Sequence, residues 1–427
     1  MNTVDLMNAL SPDQHQAINA VREGRNVFIT GKAGTGKSFL ITLLKALYHD
    51  RGIEITATTG IAAVNIGGAT IHSFSGIGAG DMPVEFIVKR LKSAKSRQMR
   101  KKIKECRLLV IDEISMLASD TIDKIDMVFR NIREVNVPFG GIQVVLIGDF
   151  AQLPPVTRDN QYSYAFNSQV WREANLKVFV LKSIFRQKDP EFIELLNNIR
   201  LNQLSDKDVR LLKSRENLKP DFKNLTIIAT HNDQVDRINT HFLKELNTTS
   251  QSFKMEEYGD DKDKLDYLKK YCLAPSSLEL KIGAQVMMLK NTHYKEGIIN
   301  GSTGKVLDFI IFKGRKLPVV RFNNGVEKVI EYESWALEDI CLETGRLSEI
   351  ASIAQLPLSL AWAITVHKSQ GMSIDRIYCD LSKAFAPGQV YVALSRARSL
   401  EGLYIQNFNP RKIIVNQQVK DFEHSLA

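Results

Sequence analysis

Gly31-Lys32-Ala33-Gly34-Thr35-Gly36-Lys37-Ser38 decides the fold of this 427-residue chain. The stretch fits G-x-x-x-x-G-K-[ST], a loop that wraps nucleotide phosphates. An apolar, β-prone run at 26–30 leads into it and a helical pattern at 39–47 leads out. Strand, loop and helix in that order are the context the motif requires. Gly34 and Gly36 let the backbone turn its N–H groups, with that of Thr35, toward phosphate oxygens. The new helix adds the positive end of its dipole. Such a loop predicts a nucleoside triphosphate as ligand, with Lys37 reaching the β- and γ-phosphates and the Ser38 hydroxyl on Mg2+. The competing reading, a glycine-rich turn that matches by chance, does not account for the flanks.

Toward the N-terminus, Leu10-Ser-Pro-Asp-Gln14 reads as a helix start, with Ser11 as cap, Pro12 in the first turn and Asp13 near the dipole. The Gln14 amide carries the donor and acceptor that an adenine edge needs, although a surface glutamine has the same composition. Toward the C-terminus, the pattern predicts strands at 53–58, 108–113, 143–149 and 178–181, with helices between them. Leu108-Leu-Val-Ile-Asp112-Glu113 is an apolar strand ending in two carboxylates. At such a strand end Asp112 meets Mg2+ and Glu113 stands beside the attacking water. The next apolar strand ends at Gly148-Asp149 and runs into Gln152, where a sensor of the γ-phosphate belongs. Strands alternating with helices imply a doubly wound parallel sheet, with ligands at the carboxyl ends of its strands.

Net charge is +9, from 57 Lys and Arg against 48 Asp and Glu, which fits a phosphate-rich partner. The charge is concentrated: ten Lys or Arg lie between Lys89 and Arg107, with Glu105 as the one acid. A solvated basic helix is the plainer reading of that run. The four cysteines (Cys106, Cys272, Cys341 and Cys379) form no C-x-x-C pair, which argues against zinc and a disulfide framework. No apolar run is long enough for a bilayer, and the first residues lack a secretory pattern, so an intracellular protein without membrane association is expected.

A second α/β unit is predicted from the strand at 225–230 and the helix at 232–246. Residues 247–275, rich in acids, read as a mobile surface excursion. Short β runs separated by Asn300-Gly301, Gly304, Lys313-Gly314 and Asn324-Gly325 follow, as in a small antiparallel barrel or hairpin array. The α/β texture then returns, with a strand at 376–380, a helix at 388–398 and a strand at 402–406.

The motifs in this order resemble the superfamily-one DNA helicases, and within them the PIF (petite integration frequency) family, related to RecD and the phage Dda helicase. The resemblance rests on Leu10–Gln14, Gly31–Ser38, Thr56–Phe74, Val110–Leu117, Leu146–Val156, Phe185-Arg186-Gln187, Leu356–Asp375 and Gln389–Arg398. Pro138-Phe-Gly-Gly-Ile-Gln143 is similar to that family's own signature. It implies two RecA-like parallel-sheet domains of the P-loop NTPase fold with ATP between them. The first carries a small basic helical insertion and the second a small β-barrel-like one. The corresponding segments are 1–182 for the first domain with its insertion at 76–107, 183–275 and 351–427 for the second, and 276–350 for its insertion. Gln14 matches the adenine-reading glutamine. Gly371 matches a nucleotide-binding position, and Arg186 and Arg396 match arginines that reach the γ-phosphate. Thr58, His72, Ser73, Phe74, Thr365, His367 and Lys368 match positions that hold single-stranded DNA, with Phe74 placed to stack a base.

The reading expected from all this is an ATP- and Mg2+-dependent DNA helicase moving 5′ to 3′ on single-stranded DNA. It would act at forks as a monomer, in the repair, recombination and telomere maintenance that the resemblance implies. Two other classes remain open from the residues alone: a DNA-stimulated ATPase that remodels protein–DNA complexes without unwinding, and a switch-like NTPase with no nucleic-acid role. Phe86, Ile87 and Val88 in the basic insertion would either pack the arm to the core or form a strand-separating wedge.

Overall fold

The computed structural model describes all residues except 1–2, 79–81, 157–160, 217, 219–224, 230–231, 291, 294–295, 341–346 and 427. Thr230 at the end of a predicted strand, Cys341 and three residues of the basic insertion therefore lie outside the described residues. The chain divides into two compact units, Met1–Phe185 with Leu337–Glu349 and Gln418–Ala427, and Arg186–Ala336 with Ile350–Gln417.

The first unit is built on six parallel strands: β1 (Val27–Gly31), β2 (Ile53–Ala57), β3 (Ala69–Thr70), β4 (Leu108–Asp112), β5 (Gln143–Gly148) and β6 (Lys177–Leu181). Their order across the sheet is β3-β2-β4-β5-β1-β6. β1 and β4 are buried along their whole length, so they read as unbroken apolar runs rather than alternating ones. Alternation survives in where the side chains go. Val27, Ile29, Leu108 and Val110 join Ile18, Leu40, Leu43 and Leu44 on one face, whereas Phe28, Leu109 and Ile111 join Ile122, Ile125, Phe129 and Ile132 on the other. Helices Pro12–Arg22 and Lys37–Tyr48 supply the first layer and Ser119–Arg133 and Val84–Lys92 contribute to the second. A sheet covered on both faces leaves its carboxyl edge as the place for chemistry.

The basic insertion forms helices Val84–Lys92 and Arg97–Glu105. Ile87, Val88, Leu91 and Ile103 are buried in the core, and Phe86 is 61% exposed. Of the three apolar residues considered for a wedge, two are packing. Arg133 of helix Ser119–Arg133 links the arm to the loop Pro138–Gly141, where Phe139 and Gly140 both adopt left-handed backbone, φ 53° and 59°. A Cβ at Gly140 would lie 2.7 Å from the Phe129 carbonyl oxygen, so only glycine fits. Arg133 donates to the Gly140 carbonyl (2.7 Å) and to the Ile103, Lys104 and Cys106 carbonyls at the end of the second basic helix (2.8, 2.8 and 3.0 Å). Helix Ser119–Arg133 stops where Glu134 turns left-handed, φ 59°.

Within 351–427, expected with the second domain, residues 418–426 group with the first unit. In the helix Gln417–Ser425, Val419 is buried and the Phe422 ring stacks on Phe166 with centroids 4.3 Å apart, beside Phe28, Phe150 and Trp171.

The second unit has a parallel sheet in the order Ala363–Thr365, Thr226–Ala229, Ile377–Asp380, Leu403–Gln406. Beside it lies an antiparallel sheet in the order Glu327–Val329, Arg315–Phe322, Thr303–Phe312, Gln285–Met288, Leu358–Leu360. The stretch 247–275 is not a surface excursion without structure. Strand Gln251–Lys254 pairs with Ser277–Leu280, and helix Lys262–Tyr271 starts at Asp261, whose side chain accepts the Lys264 N–H (3.1 Å). Phe253, Leu265 and Leu268 are buried, and these few apolar residues offset the ordering of a polar segment. The helix expected at 388–398 is shorter, Gln389–Leu394.

Candidate active site and nucleic-acid contacts

Six candidates, Gln14, Gly34, Thr35, Gly36, Lys37 and Ser38, gather at the phosphate loop of the first unit. Gly34 and Gly36 are left-handed, φ 86° and 83°. A Cβ on Gly36 would fall 2.6 Å from Gln14 Nε2, so glycine is required there on two counts. Gln14 Nε2 donates to the Thr35 carbonyl (3.1 Å), and its Oε1 accepts the Ser11 N–H (3.0 Å). With Gln14 1% exposed, the amide holds helix Pro12–Arg22 against the loop, and its second donor and acceptor are covered. Lys37 Nζ lies on its own loop, donating to the Gly31 and Lys32 carbonyls (2.6 and 3.1 Å). Ser38, in the first turn of the following helix, is exposed.

Asp112 ends β4 and is buried. Burial first, and the Glu113 carboxylate second, push its carboxyl up to about 7, with Lys37 pulling the other way. Glu113 takes a left-handed conformation, φ 52° and ψ 42°, unusual for a residue with a side chain. Its N–H donates to Asp112 Oδ1 (2.9 Å) and its carbonyl accepts the Met116 N–H (3.0 Å). Gln152 is buried past the end of β5, where its Nε2 donates to Asp149 Oδ2 (3.1 Å).

A hydroxyl at Ser38 and a buried, destabilised carboxylate at Asp112 are hard oxygen donors of the kind magnesium takes. Among the described residues no group of three or more His, Cys, Asp and Glu could hold a metal alone. Such a donor pair suits an ion whose remaining ligands come from a nucleotide and water.

The DNA candidates of the first unit differ in what they offer. Ser73 is exposed and His72 half-buried on the short helix Ile71–Phe74, which Thr70 caps by accepting the Ser73 N–H (3.2 Å). Burial lowers the His72 pKa, which favours a neutral ring. Thr58 is 8% exposed and its hydroxyl donates to the Glu113 carbonyl (2.9 Å). Phe74, expected to stack a base, is 6% exposed and packs edge-on against Phe129 with centroids 5.9 Å apart, in the core of the first unit.

In the second unit Arg186, Gly371 and Arg396 come together. Arg186 Nε donates to Ser373 Oγ (2.8 Å), and its terminal nitrogens donate to the Ser395 and Gly371 carbonyls (3.1 and 3.2 Å). Arg396 is 1% exposed and donates to the Val392 and Ser369 carbonyls (2.8 and 3.3 Å) and to Ser395 Oγ (2.8 Å). Burial, and next the Arg396 guanidinium, lower the proton affinity of Arg186. Gly371 is left-handed, φ 75°. Thr365 is buried and its Oγ1 accepts the Lys368 N–H (3.2 Å), folding a turn that leaves His367 exposed and Lys368 half-buried.

Sequence reasoning missed Phe185 and the two serines that hold Arg186. Phe185 donates its N–H to the Gly34 carbonyl (2.9 Å), and its exposed ring lies 3.6 Å from where a Gly36 Cβ would stand. Its only sequence signal is its place beside Arg186. Ser373 and Ser395 carry no signal, because small polar residues near a motif are common.

Three family models match the chain: PIF1-like helicase over residues 9–210, the 2B domain of DNA helicase Pif1 over 264–309, and a helicase model over 313–427. The ATP-dependent DNA helicase PIF1 of Xenopus laevis is 40% identical over 421 residues, covering 98% of this chain and 64% of the relative. The human protein of that name is also 40% identical, over 420 residues, with the same coverage. The chain thus spans just under two thirds of the length of these curated relatives. A crystal structure of Bacteroides sp Pif1 in complex with ADP-AlF4 is similar at a TM-score of 0.85 and 35% identity, covering 97% of this chain and 96% of that one. Bacteroides Pif1 bound to ssDNA is similar at a TM-score of 0.65 and 35% identity, with the same coverage. The fold is the RecA-like P-loop architecture of these relatives, and the chain belongs to the PIF1-like helicase family.

Proposed function

We propose that this protein is an ATP-dependent DNA helicase that hydrolyses ATP at the loop 31–38 and moves 5′ to 3′ along single-stranded DNA, separating duplex ahead of it. One observation carries the reading: a left-handed Glu113 stands next to the buried Asp112, whose charge is felt by Lys37 of the phosphate loop. In this reading they serve as base, ion ligand and phosphate-binding cation at the carboxyl edge of one sheet. The relatives that support it include Pif1 proteins solved with ADP-AlF4 and with ssDNA.

In this reading Lys37 exchanges its carbonyl partners for β- and γ-phosphate oxygens. Ser38 and Asp112 would hold Mg2+, which would supply positive charge against the phosphates. Glu113 accepts the proton of the attacking water on a carboxylate oxygen. Gln152 orients that water or the γ-phosphate, and Arg186 faces the charge that develops on the transferring group. Ser73, His367 and Lys368 contact the DNA backbone, and the basic helices of 84–105 bring the strand to the protein.

Strand displacement tests the reading. A duplex with a 5′ single-stranded tail is unwound with ATP, and one bearing only a 3′ tail is not. Unwinding from the 3′ tail alone reverses the polarity; DNA-stimulated hydrolysis without unwinding from either tail leaves a remodelling ATPase instead.

A further inference from the structure

Thr58 touches both carboxylate-bearing residues at the end of β4. Its N–H donates to the Asp112 carbonyl (3.1 Å), continuing the pairing of β2 with β4 by one residue. Its hydroxyl donates to the next carbonyl, that of Glu113 (2.9 Å). Between these bonds the backbone turns left-handed at Glu113. A side-chain-bearing residue leaves that conformation unless its surroundings hold it. The Glu113 N–H bond to Asp112 Oδ1 holds one side of the turn, and the Thr58 hydroxyl, with the Met116 N–H, holds the other. Valine has nearly the shape of threonine and lacks the donor. The strand pairing would survive that exchange and the hold on Glu113 would loosen.

We propose that Thr58 is a positioning residue for hydrolysis, fixing the direction in which the Glu113 carboxylate leaves the backbone, and not a DNA contact. The proposal rests on Glu113 being the base. At 8% exposure, with its hydroxyl committed inward, Thr58 offers little to a phosphate, whereas Ser73, another of the DNA candidates, is exposed.

The test compares Thr58→Val, Thr58→Ala and Thr58→Ser in the full chain with saturating single-stranded DNA. Thr58→Val and Thr58→Ala are expected to lower kcat about 10- to 100-fold, the scale on which catalytic groups respond to slight misplacement. KM for ATP and Kd for DNA should stay within about twofold, the scatter of unaffected contacts. Thr58→Ser keeps the hydroxyl and restores kcat to within about threefold on the same reckoning. In a Glu113→Gln background, Thr58→Val should have no further effect, since the group it positions is gone. A raised DNA Kd with kcat intact at saturation overturns the proposal and returns Thr58 to the DNA. So does a serine variant as slow as valine, or full additivity with Glu113→Gln. If Glu113→Gln alone keeps normal turnover, it is the base assignment that fails, a result separable from all of these.

Discussion

Gln14 Nε2 and the Thr35 carbonyl meet at 3.1 Å, joining the helix ahead of β1 to the phosphate loop behind it. The same side chain closes the helix start on Ser11, so one amide fixes the loop from outside. Gln14→Ala removes both bonds. Each is worth about 1 kcal/mol net, so KM for ATP is expected to rise about 3- to 30-fold with kcat reduced less. If the amide also reads the adenine edge, preference for ATP over GTP falls in the same variant. Steady-state kinetics with both nucleotides decides between a bolt and a reader; an unchanged KM for ATP removes both roles.

Arg186 and Arg396 share the Ser395 residue, and the two guanidiniums should separate by experiment. Arg396 is sealed among carbonyls of its own unit. Its truncation leaves buried acceptors without a donor, and Arg396→Ala should lower unfolding free energy by about 3 kcal/mol. Arg186 is only half-buried, and its truncation should cost less stability. If Arg186 acts on the transferring phosphoryl group as proposed, Arg186→Ala should lower kcat by about 10³ with ATP affinity changed little. Urea titration and single-turnover hydrolysis on both variants read this split. Equal kinetic losses with equal stability would make both arginines reactive instead.

Phe74→Ala should behave as a core truncation. With its ring against Phe129, the loss is about 3–5 kcal/mol of stability. Affinity for single-stranded DNA, corrected for the folded fraction, should not move. A specific loss of DNA affinity in a variant of normal stability would put the ring back on the strand.

The parts of the molecule legible beforehand are those set by local order. β1, β4 and β5 are apolar runs because both faces of the sheet are covered, and the loop 31–38 is contiguous in sequence. Asp112 and Glu113 are placed by the strand that ends in them. What stayed hidden depends on distant partners. Whether Phe74 faces DNA or core turns on Phe129 in a later helix. The terminal helix joins the first unit because Phe422 finds Phe166, a pairing no local period announces. Helix Lys262–Tyr271 sits in an acid-rich stretch whose composition outweighs its two buried leucines, Leu265 and Leu268. The left-handed turn at Glu113 follows from bonds to Thr58 and Met116, not from anything in the residue itself.

His72 gives a pH dependence with a definite sign. Burial lowers its pKa from 6.5 in the folded protein. Below that value the unfolded chain binds the proton more readily than the folded one, so its contribution to stability is complete above pH 6.5 and is lost as pH falls through the lowered value. Wild type should therefore lose more stability between about pH 7.5 and 5.5 than His72→Gln, the titration window of an imidazole, measured by urea unfolding. At pH 7.5 the ring is neutral and contributes no charge to DNA binding. The salt dependence of binding should be the same in both proteins there, because a neutral group releases no counterion. A shallower salt slope for His72→Gln at that pH would mean that the ring is charged on the DNA.

Phe86 is the most exposed large apolar residue among the described residues of the arm, with Ile87 and Val88 assigned to the core. It projects from a helix whose next residues include Lys89, Arg90 and Lys92, and that helix packs beside the arm's second basic helix, whose end Arg133 holds to the loop Pro138–Gly141. A ring on a rigid, cationic arm is suited to pressing between bases where strands part, while the cations hold the backbones. Phe86→Ala removes the ring without touching the buried face, so folding should be preserved. Stacking on a base is worth about 1–3 kcal/mol, which predicts a fall in unwinding rate of about 5- to 100-fold with DNA-stimulated ATPase nearly intact. Exchanging the exposed Lys89, Lys92, Lys95 and Arg97 for Gln removes cations while leaving the buried Ile87, Val88, Leu91 and Ile103 in place, and should cost much of the salt-dependent DNA affinity. A Phe86→Ala protein that unwinds at the wild-type rate rules out the ring as the separating element, and leaves the arm as a purely electrostatic guide.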